Sequence, residues 1–313
     1  MTIFLSEVEV EALLDMGEVV AAVEEAFRRE STGEAQNFMR TRTRGTGSVL
    51  NVMHASASYL NRGGLKAYMS SRAGTRFLVV LFDAIESAPL AVMGADTLGR
   101  FRTGAVSGVA TKYLYRKRSA TVALFGSGKQ ALTQALALES VMKVDEFRVW
   151  SPSLPHREGF AKLLRDRGLR SSSCDSPEGA LEGAEVASAI TSSKAPFLTE
   201  DAVRSVSHVN MCGGNAPDHA EMTAAAVGSF DTVVVDDLPQ AKVEYGDLIQ
   251  ASEAGYFDWA SAVELSAVVA GKTGSTGRTL FKSGGVALED VAVASLIYDR
   301  ARALGRSKEF SFY

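Results

Sequence analysis

The chain is poor in cysteine: there are 2 among 313 residues, Cys174 and Cys212, far apart and without metal-ligand spacing. Histidine is scarce too, at 4 residues. His208 and His219 have no partner at a spacing that suggests a metal site, so no metal is expected. There is no surplus of positive charge. Thirty-three Lys and Arg stand against 37 Asp and Glu, a net −4, and such a balance gives no bulk field for nucleic acid. Long apolar runs are missing as well: Phe-Leu-Val-Val-Leu-Phe at 77–82 is among the longest, far short of the roughly 20 residues that cross a bilayer as a helix. The N-terminus turns acidic after a few residues and has neither the basic nor the apolar segment of a secretory leader. A cytoplasmic protein that binds neither nucleic acid nor membrane is the expectation. What is present is globular: 46% hydrophobic and 22% charged residues, in a chain long enough for two domains of about 150 residues.

Two helical patterns open the chain. Ser6 and Glu9 read as a capping box ahead of Val10, Leu13 and Leu14. Val19, Val20, Val23, Ala26 and Phe27 then recur at helical spacing, with Arg28 and Arg29 late, where the dipole favours cations. Short β-type runs follow at 49–53, 67–70, 77–83 and 90–93. Turn material such as Asn61-Arg62-Gly63-Gly64 separates them, and strands in succession predict a mainly antiparallel sheet. From Arg102 onward the texture changes. A helix over 103–115 leads into a strand at 121–125. Strands at 147–150, 186–190, 209–212 and 232–235 then alternate with helices at 130–142, 156–166 and 177–181, the signature of a parallel sheet with helices on both faces. A last apolar helix covers 286–304, with Gly305 as its stop.

The most informative stretch is Gly126-Ser127-Gly128-Lys129-Gln130-Ala131, which joins the strand at 121–125 to the helix at 130–142. The first glycine permits the tight turn, and the second lets the backbone approach a pyrophosphate. A small third residue, Ala131, lets helix and strand pack closely. The uncompensated N–H groups and positive dipole end of the helix then face the phosphates. The expected fold class is therefore α/β: a Rossmann-type doubly wound parallel sheet over 117–285, plus an N-terminal α+β domain over 1–116 that is completed by 286–313. At the end of the second strand of the parallel sheet, where NAD enzymes place a carboxylate for the ribose 2′-hydroxyl, this chain has Ser151 and Ser153, with His156 and Arg157 close behind. Hydroxyls and cations suit a 2′-phosphate, so NADP(H) is favoured and NAD(H) is the alternative.

Several motifs, taken in order, resemble the ornithine cyclodeaminase/mu-crystallin family. They are Gly63-Gly64-Leu65-Lys66, Leu98-Gly99-Arg100-Phe101-Arg102-Thr103-Gly104-Ala105, the glycine-rich turn, Val209-Asn210-Met211-Cys212-Gly213-Gly214-Asn215-Ala216-Pro217, and Phe281-Lys282-Ser283-Gly284-Gly285 running on to Glu289-Asp290. The resemblance implies a homodimer formed through the N-terminal domain, and an active site in a cleft between the domains. It implies further that Arg40, Lys66 and Arg102 surround a substrate carboxylate. Charge chemistry makes the same residues candidates, with Arg42 as an alternative to Arg40, because cations are what fix an amino- or imino-acid carboxylate. Arg40, Arg42 and Arg44 alternate on a strand and equally suit one solvated stripe. The double glycine suits a turn that delivers Lys66 from a strand edge. Arg102 at a helix start conflicts with the positive dipole end, and a bound anion would relieve that conflict.

Two departures from the family narrow the chemistry. Where cyclodeaminases carry carboxylates for the substrate's side-chain amine, this chain has Asn51 and Asn215, and an amide offsets no ammonium charge. His54 stands where relatives usually have proline; it is a candidate for acid catalysis at the substrate pocket, or a structural residue. Further cofactor contacts implied by the resemblance are Thr103, Thr191 and Ser192 along the dinucleotide, and Ser283 and Gly284 on the nicotinamide side. Cys212 reads as core, and Asp237, Glu244 and Asp247 as solvated loop acids. The expected activity is NAD(P)H-dependent reduction of a small or cyclic imino acid, a ketimine of the pyrroline-2-carboxylate type, to the L-amino acid. Ornithine cyclodeaminase or alanine dehydrogenase activity is the alternative, and a non-catalytic ligand-binding protein like mu-crystallin a further one.

Overall fold

In the computed structural model residues 1–305 and 308–312 are described; residues 306, 307 and 313 of the expected 286–313 extension lie outside them. The chain divides into two compact units, Met1–Arg102 with Val286–Tyr313, and Thr103–Gly285. The division falls inside a single helix, Asp96–Leu114, and not at 116/117. An unbroken helix has no linker whose composition would mark a cut.

The first unit is built on β1 (Thr2–Leu5), β2 (Ala35–Gly45), β3 (Ser48–Ala57), β4 (Arg62–Ser71), β5 (Gly74–Asp83) and β6 (Pro89–Gly94). Strands β2 to β6 form an antiparallel meander, and β1 adds to β6 in parallel. The short strand Lys308–Phe310 pairs antiparallel with β1. The capping box is present, with Ser6 Oγ accepting from the Glu9 N–H and Glu9 accepting from the Ser6 N–H. One sheet face is closed by alternating small and apolar residues, among them Met53, Ala55, Ala57, Val79, Leu81 and Met93, all buried. The helix Ala287–Ala303 packs on this face against β3 and β4, and the helix Met16–Glu30 packs on that helix in turn. The other face is apolar yet open: one register row runs Phe38, His54, Leu65, Val80, Val92, Phe4 across six strands.

Two local expectations are corrected here. Gly63 and Gly64 lie within β4, paired with Ser56 and Ala55, so they form no turn; the turn is at Ser58–Asn61, where Asn61 takes φ +53°. Strand β4 also sits between β3 and β5 and not at an edge. Gly64 has a packing reason instead. A Cβ there would lie 2.9 Å from the Val80 carbonyl oxygen and 3.1 Å from Val291 Cγ2, so only glycine lets the last helix come this close to the strand.

The second unit carries eight parallel strands: β7 (Ser119–Phe125), β8 (Lys143–Trp150), β9 (Ser171–Ser173), β10 (Val186–Ala189), β11 (His208–Met211), β12 (Thr232–Val235), β13 (Val263–Glu264) and β14 (Thr279–Lys282). Their order, β13-β12-β14-β11-β10-β7-β8-β9, reverses direction on either side of β7, as in a doubly wound sheet. Cofactor crevices in such sheets open at the carboxyl ends of the strands at the switch point, here between β7 and β10. Among the described residues, no helix is long and apolar enough to cross a membrane.

Candidate active site

In the first unit three cations come together below the surface. Lys66, on β4, is 3% exposed, and Arg40 and Arg102 are 8% exposed each. Two carboxylates from the first turn of the last helix meet them. Lys66 Nζ donates to Asp290 Oδ1 at 2.9 Å, Arg102 Nη1 to Glu289 Oε2 at 2.8 Å, and Arg102 Nε lies 3.3 Å from Asp290 Oδ1. Burial is the main force on the Lys66 ammonium and holds its pKa down to about 8; Asp290 opposes it, while Arg102 and Arg40 reinforce it. Desolvation thus outweighs the ion pair. Room for the ammonium comes from Gly99, where a Cβ would stand 3.0 Å from Lys66 Nζ.

A β-bulge selects Arg40 from its stripe. Phe38 pairs with His54 and Thr41 with Val52, so one extra residue enters β2 between them. The bulge reverses the phase of the strand and turns Arg40 toward the buried face that holds Met53 and Asn51. Arg42 and Arg44 follow on the same face but are exposed. For Arg102 the earlier rationale fails: the helix begins at Asp96 and not at 103, so Arg102 is beyond its first turn and is balanced by Glu289 and Asp290, not set against the helix N-terminus. His54 is also corrected. It sits one residue out of phase with Met53 and Asn51, on the opposite, exposed sheet face, stacked on Phe38 at 4.8 Å, and cannot reach Lys66. Asn51 is buried on the Lys66 face, its amide 3.4 Å from the Val49 carbonyl.

The second unit holds a cavity of about 560 Å³ lined by Gly126, Ser127, Gly128, Lys129 and Gln130, by Ser151, Ser153 and His156, and by Thr191, Ser192 and Gly213. Gly126 takes φ +109°, and a Cβ there would press on the Ile190 carbonyl oxygen at 2.7 Å. At Gly128 a Cβ would meet nothing within 4 Å: that glycine borders open space. The following helix, Ala131–Val141, has no side-chain cap, and Ala131 is buried against the sheet. An uncapped helix end beside an open glycine turn fits a dinucleotide pyrophosphate. Ser127 and Ser151 hydroxyls bond each other at 2.9 Å.

Other expected cofactor contacts do not line this cavity. Arg157 is buried, its guanidinium bonded to the Ser151 carbonyl at 3.2 Å and to Asp175 at 2.7 Å; the side chain that reaches the cavity from that turn is His156. Thr103 is buried, and its carbonyl accepts from Gln134 Nε2 at 3.1 Å. Ser283 and Gly284 are gathered by Asp236, whose Oδ2 accepts from the Ser283 hydroxyl at 2.7 Å and from the Gly284 and Gly285 N–H groups at 3.1 and 3.0 Å. Tyr245 donates to the other oxygen of Asp236. Asn215 is half-buried in the loop after β11. Cys212 bonds the Ser107 hydroxyl at 3.0 Å, and burial pushes its thiol up to about 12, so it is no nucleophile. Burial likewise lowers His208 to about 4, holding it neutral between Thr279 and Asn210.

Sequence reasoning missed Asp236, Lys282 and Glu221, and read Asp247 as solvated when it is 1% exposed. A lysine ending the apolar strand Thr-Leu-Phe-Lys was the available signal, since a buried ammonium requires carboxylates nearby.

A glycine cradle at the switch point of a parallel sheet, together with a cluster of buried cations, is the equipment of an NAD(P)-dependent oxidoreductase acting on CH–NH bonds. The chain belongs to the ornithine cyclodeaminase/mu-crystallin family, whose profile matches residues 1–305. Alanine dehydrogenase of Archaeoglobus fulgidus is 31% identical, covering 100% of this chain and 99% of that one. The structure of Thermococcus litoralis Δ1-pyrroline-2-carboxylate reductase with NADH and L-proline superposes with a TM-score of 0.92 at 28% identity, over 99% of this chain and 100% of the other. An archaeal alanine dehydrogenase dimer with bound NAD gives 0.91 at 30% identity, over 100% and 99%. Relatives at 30–31% identity divide among alanine dehydrogenases, pyrroline-2-carboxylate reductases and ornithine cyclodeaminases.

Proposed function

We propose that the protein reduces the C=N bond of a small or cyclic imino acid with NAD(P)H and releases the L-amino acid. The observation that carries this reading is the company around Lys66: an ammonium and two guanidinium groups drawn below the surface at one place, beside Glu289 and Asp290. Cations withdrawn from water together suit a substrate carboxylate, whose charge offsets their lost hydration. Arg40 and Arg102 hold that carboxylate by charge-assisted hydrogen bonds. Lys66, with a pKa of about 8, keeps its proton at neutral pH and offers it to the imine nitrogen. Protonation there makes the imine carbon electrophilic. The dinucleotide, when bound, supplies the hydride to that carbon. The amides of Asn51 and Asn215 leave no carboxylate for a side-chain ammonium, which speaks against ornithine.

NADP(H) is the favoured cofactor, with the support shifted from Arg157 to His156 and Lys129. These are the ionisable groups on a cavity wall that carries no Asp or Glu. Replacing Ser151 by Asp tests it: the preference for NADPH over NADH is expected to fall at least about tenfold, by charge repulsion of the 2′-phosphate, and an unchanged ratio refutes the preference. The reaction is tested by following NADPH oxidation at 340 nm with Δ1-pyrroline-2-carboxylate, Δ1-piperideine-2-carboxylate, and pyruvate with ammonia, and by assaying ornithine in parallel. Turnover of the cyclic imino acids is expected. Turnover of ornithine alone overturns the reading, and binding of NADPH without any turnover returns the protein to a binding role.

A further inference from the structure

Outside the residues assigned so far, the second unit buries the ion pair of Lys282 with Asp247 and a glutamate, Glu221, whose backbone N–H bonds Asp247. Lys282, at the end of β14, has no exposed surface. Its Nζ lies 2.7 Å from Asp247 Oδ2 and donates to the Gly214 carbonyl at 3.2 Å. Asp247 Oδ1 accepts from the backbone N–H groups of Glu221 and Met222 at 2.6 and 3.0 Å. Glu221 Oε1 accepts from the Thr191 N–H at 2.7 Å. Its carboxylate also lies so close to Gly213 that any Cβ there would collide with it.

The two ends of this chain of contacts are informative. Thr191 and Gly213 both line the dinucleotide cavity, one after β10 and the other after β11. The network therefore grips two neighbouring cofactor loops from below, by the Thr191 N–H and the Gly214 carbonyl. Glu221 Oε2 is buried and accepts no hydrogen bond: the Lys282 charge is met by Asp247, and Glu221 spends its other oxygen on the Thr191 N–H. Two carboxylates around one ammonium are more than stability needs, since a well-packed apolar trio is often at least as stable.

We propose that Lys282, acting through Asp247 and Glu221, is a positioning residue that sets the backbone of the 191–193 and 213–215 loops to receive the dinucleotide. The proposal rests on the cofactor reading above. Lys282 touches no reacting atom; its effect passes through the Gly214 carbonyl directly and through the Thr191 N–H by way of the two carboxylates.

The test compares the unaltered protein with Lys282→Met, and with Lys282→Met combined with Asp247→Asn. The double variant removes one positive and one negative charge, and the introduced amide oxygen still accepts the Glu221 and Met222 N–H groups. It is the variant that folds if the single one does not. Dissociation constants for NADPH are read by quenching of Trp150, the neighbour of Ser151, and melting temperatures and amide exchange over 191–193 and 213–215 are recorded beside them. The double variant is expected to recover most of the melting temperature while binding NADPH about tenfold more weakly, the worth of one charge-assisted hydrogen bond, with faster exchange in both loops. Recovery of affinity together with melting temperature makes the trio merely structural and overturns the proposal. An unaltered protein that binds neither NADPH nor NADH overturns the cofactor reading, and the proposal with it.

Discussion

In the proposed reaction Lys66 is the residue on which the chemistry turns. Its pKa of about 8, below the usual 10.5 because burial outweighs its bond to Asp290, sets a sign for the pH dependence. The proton-donating form prevails below that value and is lost as the pH rises through it. kcat/KM for imine reduction is therefore expected to fall above about pH 8, and amino-acid oxidation, which needs the neutral amine, to rise over the same interval; steady-state rates from pH 6 to 10 check both limbs, and parallel profiles refute Lys66 as the proton carrier. Much at this scale was legible. The order of the family motifs pointed to Lys66, Arg102 and the glycine turn. The choice of Arg40 over Arg42 was not, because it depends on a bulge between Phe38 and Thr41 that neither glycine nor proline announces. Lys282 and Asp247 hid for the opposite reason: a charge in a strand or loop reads as solvated until its partners, far off in sequence, are seen beside it.

Among the elements, the last helix and β4 do the placing. Glu289 and Asp290 stand in the first turn of Ala287–Ala303, and Gly64 lets that helix lie against the strand that carries Lys66. Gly64→Ala is expected to force them apart by the contact with Val80, at a cost of about 1–3 kcal/mol and a melting temperature lower by several degrees. Imine reduction falls with it while NADPH affinity stays, since the dinucleotide cavity lies in the other unit; thermal unfolding and the dissociation constant measured together check the split. The strands of the parallel sheet were readable from apolar runs, except β9 and β13, of three and two residues, and β14, whose short run ends on Lys282. The helix Asp96–Leu114 was read as starting seven residues late. Gly99 and the preceding Asp96-Thr97 resemble a turn, and their place in a helix is decided by Glu7, whose carboxylate accepts from the Asp96 and Thr97 N–H groups at 2.7 and 3.0 Å.

For the whole molecule, the open face of the seven-stranded sheet is the feature that asks for a partner. Phe38, Leu50, Met69 and Leu78 are all more than a third exposed on it, and such a contiguous apolar face is unusual on a monomer. The expected partner is a second copy of the chain. Leu78→Lys puts a charge in the middle of that face, and light scattering after gel filtration should then report a monomer that still binds NADPH; a dimer that persists excludes this face. The two-unit organisation was visible as a change of texture near Arg102, whereas the boundary itself lay hidden in a helix.

On this account, buried cations around Lys66 turn a dinucleotide-binding family fold into an imino-acid reductase. The most direct test measures, side by side, NADPH affinity and Δ1-pyrroline-2-carboxylate reduction by the unaltered protein and by Lys66→Met. Equal NADPH affinities with a loss of at least about a hundredfold in kcat are predicted, the usual weight of a positioned proton donor. Full activity in the variant, or no reduction by the unaltered protein, would contradict the account.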